Sequence, residues 1–303
     1  MSQESQPLVS IVIPCYNHEG FVQDCIRSVI DQTYQNIELI IIDDGSKDNS
    51  VVKIQELLGQ CKARFTRFEF RHRPNQGLST TLNEALEWCQ GAFWTTCSSD
   101  DYYHKDKTIK QINFLLKNTD TKFCVTKSFV VNDLNEVLSI QTENYNLGLN
   151  ETIKFDDIFT FKIHLPVTGL YEINLLRNTL NGFDPKITAE DYDIYLRIAE
   201  NTEIGVLDEM LYYYRSPEAL GGDRQRMPMR LDVSESHHQS INKYKDSEKY
   251  DEAINAWNYR RFIFFSGYSK NKGYAFQGML RALHYSTKVQ FYKSLFKLIF
   301  IWK

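Results

Sequence analysis

Ile37-Glu38-Leu39-Ile40-Ile41-Ile42-Asp43-Asp44-Gly45-Ser46 is a short aliphatic run that ends in two carboxylates and a turn. An apolar run of this length, bounded by turn residues, reads as a strand buried on both faces, and such strands belong to parallel sheets covered by helices. Ala92-Phe93-Trp94-Thr95-Thr96-Cys97-Ser98-Ser99-Asp100-Asp101 repeats the arrangement. Carboxylates at the ends of buried parallel strands point into the crevice where open α/β sheets bind ligands. One pair is placed to hold a nucleotide and the other a cation on its phosphates, which points to a nucleotide-using enzyme.

Working outward, Val9 to Ile13, ended by Pro14, reads as the first strand, with helical spacing from Phe21 to Ile30 behind it. Glu38 to Ile42 is the second strand. Ser46 or Asp48 is placed to cap a helix through Val51, Ile54, Leu57 and Leu58. Phe65 to Arg71 is a third strand, Thr80 to Cys89 a helix stopped by Gly91, and Ala92 to Cys97 a fourth strand. This β-α-β-α-β-α-β alternation predicts a mainly parallel sheet flanked by helices. Further on, the pattern predicts a helix over 105–117, strands over 122–131 and 136–140, and an apolar segment from Ile163 to Tyr171. It ends with a helix over Glu190 to Glu200, a strand over Leu207 to Arg215 and an all-helical remainder beyond about residue 232.

No G-x-x-x-x-G-K-[ST] or G-x-G-x-x-G turn is present, so diphosphate charge needs another counterweight. A divalent cation held by carboxylates supplies one, with Asp101 its best-placed holder and Asp100 in support. A plain helix cap at Asp100-Asp101-Tyr102 is the alternative, as a plain turn is for Asp43-Asp44-Gly45-Ser46. Recurrence of the pair at two strand ends of one sheet favours a shared crevice. Glu190-Asp191 is either a site for proton transfer or an acidic helix start complementing the dipole. Arg73 and Asn75, in the Arg73-Pro74-Asn75-Gln76-Gly77 loop, are candidates to touch a diphosphate, with a plain turn as the favoured alternative. His164 and the run Tyr212-Tyr213-Tyr214-Arg215 are candidates to border the acceptor pocket, since aromatic faces suit sugars, with a buried strand as the favoured alternative for the tyrosines. His237-His238 reads as surface.

Val9-Ser10-Ile11-Val12-Ile13-Pro14-Cys15-Tyr16-Asn17, Ile41-Ile42-Asp43-Asp44-Gly45-Ser46, Asn75-Gln76-Gly77, Ser99-Asp100-Asp101 and Thr188-Ala189-Glu190-Asp191-Tyr192-Asp193 occur in the order seen in family 2 glycosyltransferases. Over about residues 8–216 the chain resembles an inverting member with the Rossmann-like GT-A fold. The resemblance implies that Pro14 and Tyr16 contact base and ribose and that Asp44 accepts a hydrogen bond from the base. It also implies that Asp101 binds Mn2+ or Mg2+ on the diphosphate, with Asp100 beside it towards ribose or sugar, and that Asp191, next to Glu190, is the general base. Many members carry an additional Asp where this chain has Ser98.

The implied reaction moves a hexosyl or N-acetylhexosaminyl group from a nucleotide-diphosphate sugar, foremost a UDP-sugar, to a hydroxyl of a glycan or lipid-linked acceptor. The implied setting is bacterial surface polysaccharide synthesis, such as O-antigen or capsule. A catalytically silent scaffold that binds nucleotide or glycan is the alternative. Specificity is expected in segment 102–185 and around Leu220-Gly221-Gly222-Asp223-Arg224.

The chain has 303 residues, 42% hydrophobic and 24% charged, enough for one large core and an appendage. The expected division is a catalytic domain over 1–232, with a nucleotide-sugar half over about 8–101 and an acceptor half over 102–232, followed by a helical basic region over 233–303. Six cysteines without a C-x-x-C pair, and no secretory leader, read as a reduced cytoplasmic protein. No window reaches the roughly 18 apolar residues of a spanning helix.

The net charge of −4 conceals an asymmetry. Ala253 to Lys303 holds nine basic and no acidic residues, whereas the preceding 252 residues carry 26 basic against 39 acidic side chains. From Ser286 to Lys297, polar residues Ser286, Gln290, Lys293, Ser294 and Lys297 line one helical stripe beside Val289, Tyr292, Leu295, Phe296, Leu298, Ile299, Phe300 and Trp302. Such a helix suits an anionic membrane surface at the inner face of the cell membrane. Docking on the catalytic domain and a homo-oligomer contact are the alternatives. A nucleic-acid partner is disfavoured because the tail is as apolar as it is basic.

Overall fold

The computed structural model describes residues 6–149, 153–216 and 229–301. Its centre is an eight-stranded sheet in the order β3-β2-β1-β4-β7-β6-β8-β5, formed by β1 (Val9–Cys15), β2 (Ile37–Asp43), β3 (Arg67–His72), β4 (Phe93–Thr96), β5 (Tyr102–Tyr103), β6 (Phe123–Val131), β7 (Leu170–Glu172) and β8 (Ile204–Arg215). The first four strands pair in parallel, as their helical crossovers require. Beyond β4 the sheet is mixed: β7 runs antiparallel to both β4 and β6, and β5 antiparallel to β8.

Side-chain alternation sorts the central strands onto two cores. Val9, Ile11, Ile13, Leu39 and Ile41 pack with α1 (Val22–Ile30), α2 (Ser50–Gln55) and α3 (Leu58–Arg64), while Val12, Ile40 and Ile42 pack with α4 (Leu78–Trp88) and α8 (Glu190–Asn201). Glu38, second in β2 and fully buried, is a charged exception to this apolar rule. Its carboxylate accepts hydrogen bonds from Ser10 Oγ at 2.5 Å and Gly91 N at 2.8 Å and pairs with Arg67, so the buried charge is compensated.

Helices α5 (Lys107–Lys117), α6 (Ser139–Tyr145) and α7 (Phe155–Phe159) flank the second half of the sheet. Residues 136–140 do not form the expected strand: only Val137 bridges to Val131, and the chain turns into α6 at Ser139. Thr142 holds that helix in place by accepting the Val130 N–H at 2.9 Å through its side chain.

The C-terminal part is α9 (Leu231–Asn242), α10 (Tyr250–Phe265), α11 (Lys272–Arg281) and α12 (Val289–Phe300). Ile241, Ala253 and Trp257 enter the larger core beneath the sheet, whereas Phe262, Phe265, Ala275, Phe291 and Leu298 form a separate small core. Ser236 Oγ accepts the Ala189 N–H at 2.9 Å, which ties α9 to the start of α8. On α12 the expected polar stripe is divided. Ser294 is buried with Phe291 and Leu298 against the helical core, while Lys293 and Lys297 are exposed. Val289, Tyr292, Phe296, Ile299 and Phe300, 53% to 71% exposed, make a second apolar face directed outward. Trp302 lies outside the described residues, as does the Leu220 to Arg224 loop. No described helix is long and apolar enough to cross a membrane.

Candidate active site

The ends of β1, β2 and β4 and the loop after β3 open into a cleft of about 700 Å3, within the range of small-molecule sites. Pro14 and Tyr16 come from the end of β1, Asp44 from the end of β2, Asn75 from the loop after β3 and Asp100 from the turn after β4. Thr188, Arg230 and Val233 also line the cleft.

Asp43, the last residue of β2, is fully buried and accepts hydrogen bonds from Ser46 N at 2.9 Å and from the Ser46 hydroxyl at 2.5 Å, with His72 Nδ1 at 2.9 Å. Asp44, one residue on, faces the cleft. Its Oδ1 pairs with Arg73 and accepts Gln76 N at 2.8 Å, and its Oδ2 accepts Gly77 N at 3.0 Å. Arg73 is held in turn by Glu84 at 2.6 Å and Thr81 at 2.9 Å. Gly45, with φ +80°, lets the two loops touch: a Cβ there would lie 2.7 Å from Asn75 N.

The second pair divides in the opposite order. Asp100 lines the cleft, with its carboxylate 3.6 Å from His18 Nε2, and the other ring nitrogen of His18 lies 2.8 Å from Ser99 Oγ. Asp101 turns inward, where Oδ1 accepts the Arg215 N–H at 2.7 Å and Oδ2 the Tyr212 hydroxyl at 2.8 Å. Burial, reinforced by the neighbouring Asp100, pushes the Asp101 carboxyl up. The Arg215 guanidinium donates to the Asp100 carbonyl at 2.7 Å and the Asn132 carbonyl at 2.5 Å, and lies 4.5 Å over Phe21. Tyr212 and Arg215 thus brace the turn that carries Asp100.

Glu190 and Asp191 open α8, and neither lines the main cleft. Both border a small cavity with Trp94 and Tyr195, and Asp191 also borders a second with His164, His237 and Arg260. Glu190 is pushed up to about 8, by burial first and Asp191 second. His237, expected at the surface, is only 8% exposed, with its ring against Tyr192 and Phe161. His238 stacks on Trp257 with centroids 4.2 Å apart. His18 and Arg230 lie in no motif, Ser99 and Thr188 lie in motifs that assign them no role, and the fold alone brings Arg230 to the same cleft as Asp100.

Among the described residues no group of three or more metal-ligating side chains is preassembled. Magnesium-type cations need only one or two carboxylates and take their remaining ligands from water and phosphates. Asp100 on the cleft wall meets that requirement, while both Asp101 oxygens are engaged by the protein.

The family model described as Glycosyl transferase family 2 matches residues 10–167. An uncharacterized glycosyltransferase of Haemophilus influenzae is 33% identical over 210 residues, covering 67% of this chain and 76% of its own. The Escherichia coli protein WfgD, a UDP-Glc:alpha-D-GlcNAc-diphosphoundecaprenol beta-1,3-glucosyltransferase, is 29% identical over 202 residues, 66% of this chain and 73% of its own. Several longer relatives are spanned over only 26% to 31% of their length. The structure of S. aureus TarS 1–349 in complex with UDP-GlcNAc superposes with a TM-score of 0.60 at 19% identity, covering 96% of this chain and 80% of that one.

Proposed function

This chain belongs to glycosyltransferase family 2, with the GT-A fold, and on that premise we propose that it transfers a sugar from a UDP-sugar to a hydroxyl of a glycan or lipid-linked acceptor in bacterial polysaccharide synthesis. The observation that carries this reading is the gathering of Pro14, Tyr16, Asp44, Asn75 and Asp100 on one cleft. The UDP-GlcNAc of the TarS complex, and the UDP-Glc and diphosphoundecaprenol in the name of WfgD, support the donor and acceptor classes. In this reading residues 1–232 are the catalytic unit, with the donor half over 8–101 and the acceptor half over 102–232.

Tyr16, exposed at the rim, packs on the base, with Pro14 behind it. Asp44 Oδ2 accepts one protein hydrogen bond and retains capacity for a base N–H. The diphosphate lies between Asn75, Asp100 and Arg230. Asp100, rather than Asp101, holds Mn2+ or Mg2+, and the cation would neutralise diphosphate charge. Asp101 fixes the turn from below. Asp191 takes the proton of the attacking hydroxyl as its oxygen bonds to the anomeric carbon. The carbon–oxygen bond to the diphosphate breaks on the opposite face, inverting the configuration, and the nucleotide leaves with the electron pair. Glu190, largely protonated at neutral pH, leaves Asp191 as the member of the pair that takes the proton.

The outward face of α12 is the membrane-contacting surface. Lys288, Lys293 and Lys297 flank an exposed stripe of Val289, Tyr292, Phe296, Ile299 and Phe300, a pattern that suits an anionic leaflet.

Calorimetric titration with UDP, GDP and dTDP, each with and without Mn2+, tests the function. The expected result is Mn2+-dependent binding of UDP, followed by UDP release from UDP-glucose or UDP-GlcNAc when an acceptor is supplied. Absence of binding by all three nucleotides would return the chain to the reading of a silent scaffold.

A further inference from the structure

Arg260, on α10, has its guanidinium 4.6 Å over the Phe161 ring and 5.2 Å from that of Phe264. Its Nε is buried without a hydrogen-bond partner, and no carboxylate of the described residues forms an ion pair with it. Burial lowers it to about 10, which still leaves it charged at neutral pH. Across the same cavity His237, more than nine-tenths buried, has Nδ1 without a partner. Burial, then Arg260, holds His237 down to about 3, so its ring is neutral and can donate one N–H, at Nδ1 in the tautomer that suits an anion. The buried Arg260 Nε and His237 Nδ1, each without a hydrogen-bond partner, are costly unless something completes them. Asp191 borders the cavity, whose volume of about 50 Å3 is more than one water-sized atom needs.

Resting on the glycosyltransferase reading above, we propose that Arg260, assisted by His237, binds an oxyanion of the acceptor beside the hydroxyl that Asp191 deprotonates. The bound group is a carboxylate of an acidic sugar or a phosphate of a carrier. Both present two or more oxygens to the fork of a guanidinium. This role gives the helical C-terminal region a part in acceptor choice. Arg260 neutralises the charge that would otherwise sit beside Asp191.

The test titrates glucuronate, inorganic phosphate and neutral glucose onto the full chain and onto Arg260→Gln, Arg260→Lys and His237→Asn, with nucleotide binding as the check of folding. At least one anion should bind the parent chain and weaken tenfold or more in Arg260→Gln, with partial recovery in Arg260→Lys and no such change for glucose. The anion that binds more tightly identifies the source, acidic sugar or carrier phosphate. In transfer assays the KM for an acceptor carrying that anion should rise about tenfold in Arg260→Gln, with kcat changing less. Equal anion binding by the parent and Arg260→Gln, or equal losses with neutral and anionic acceptors, would overturn the proposal. Arg260-dependent anion binding in a chain that binds no nucleotide would sink the transferase reading and leave the anion site standing.

Discussion

The two acidic pairs at the strand ends are chemically identical, yet the fold uses them in opposite order. In Asp43-Asp44 the first residue is structural and the second faces the cleft; in Asp100-Asp101 the first faces the cleft and the second is structural. Asp43 still belongs to β2, where its side chain is committed to the strand's buried side, so Asp44 is the first residue free to turn outward. Asp100 sits within a turn, and Asp101 immediately precedes β5, whose pairing with β8 carries it inward against Tyr212 and Arg215. In each pair one carboxylate shapes the backbone and the other faces the cleft, and local geometry decides which does which.

Glu190-Asp191 makes a third case and gives the largest expected effect. Asp191→Asn should lower transfer about 100- to 10,000-fold, the usual contribution of a general base, while UDP binding stays near the parent value in calorimetry. A comparable loss in Glu190→Gln instead would assign the base to the wrong member.

Within the second pair, Asp101→Ala should destabilise the fold by about 2–4 kcal/mol in urea unfolding, because it strands the Tyr212 hydroxyl and the Arg215 N–H. Asp100→Ala should change stability by less than about 1 kcal/mol. Equal stability losses would erase the proposed division. A similar contrast holds between the two faces of α12. Phe296→Ser with Ile299→Ser, on the outward face, should weaken sedimentation with vesicles of anionic lipid about 10- to 100-fold and leave the melting temperature unchanged. Phe291→Ala, on the inward face, should lower the melting temperature instead.

The smallest effect is a pH dependence. The Glu190 carboxyl holds its proton more tightly in the folded chain than at its ordinary value of 4.5, so its stabilising contribution is complete below about 4.5 and is lost as pH rises towards about 8. Glu190→Gln should therefore gain stability relative to the parent by roughly 1–2 kcal/mol between pH 5 and pH 8, measured by denaturant unfolding. A flat difference across that range would contradict the raised pKa.

The cleft at the strand ends was legible because its signals are local. Val9 to Ile13, Ile37 to Ile42, Phe65 to Arg71 and Ala92 to Cys97 announce strands, and Pro14 and Tyr16, Asp44, Asn75 and Asp100 follow them in turn at short range. The Asp100 and Asp101 orientations were not legible, since they depend on Tyr212 and Arg215 more than a hundred residues away. His237 misled for the same reason. Nothing near it in sequence signals that Phe161 and Tyr192 enclose it. Residues 136–140 hold Val137, Leu138 and Ile140, side chains that suit a strand, but tertiary contacts through Thr142 and Asn146 favour the helix. On α12, periodicity located an amphipathic helix but assigned Ser294 to the solvent side. Burial of Phe291 and Leu298 on either side of it reverses that assignment.

The most direct measurement is the affinity of UDP with and without Mn2+ for the parent chain, Asp100→Ala and Asp101→Ala at a temperature where all three are folded. The division of the pair requires that the Mn2+-dependent gain in UDP affinity falls tenfold or more in Asp100→Ala and persists in folded Asp101→Ala. Loss of that gain in Asp101→Ala, with Asp100→Ala behaving like the parent, would contradict it and return the cation to Asp101.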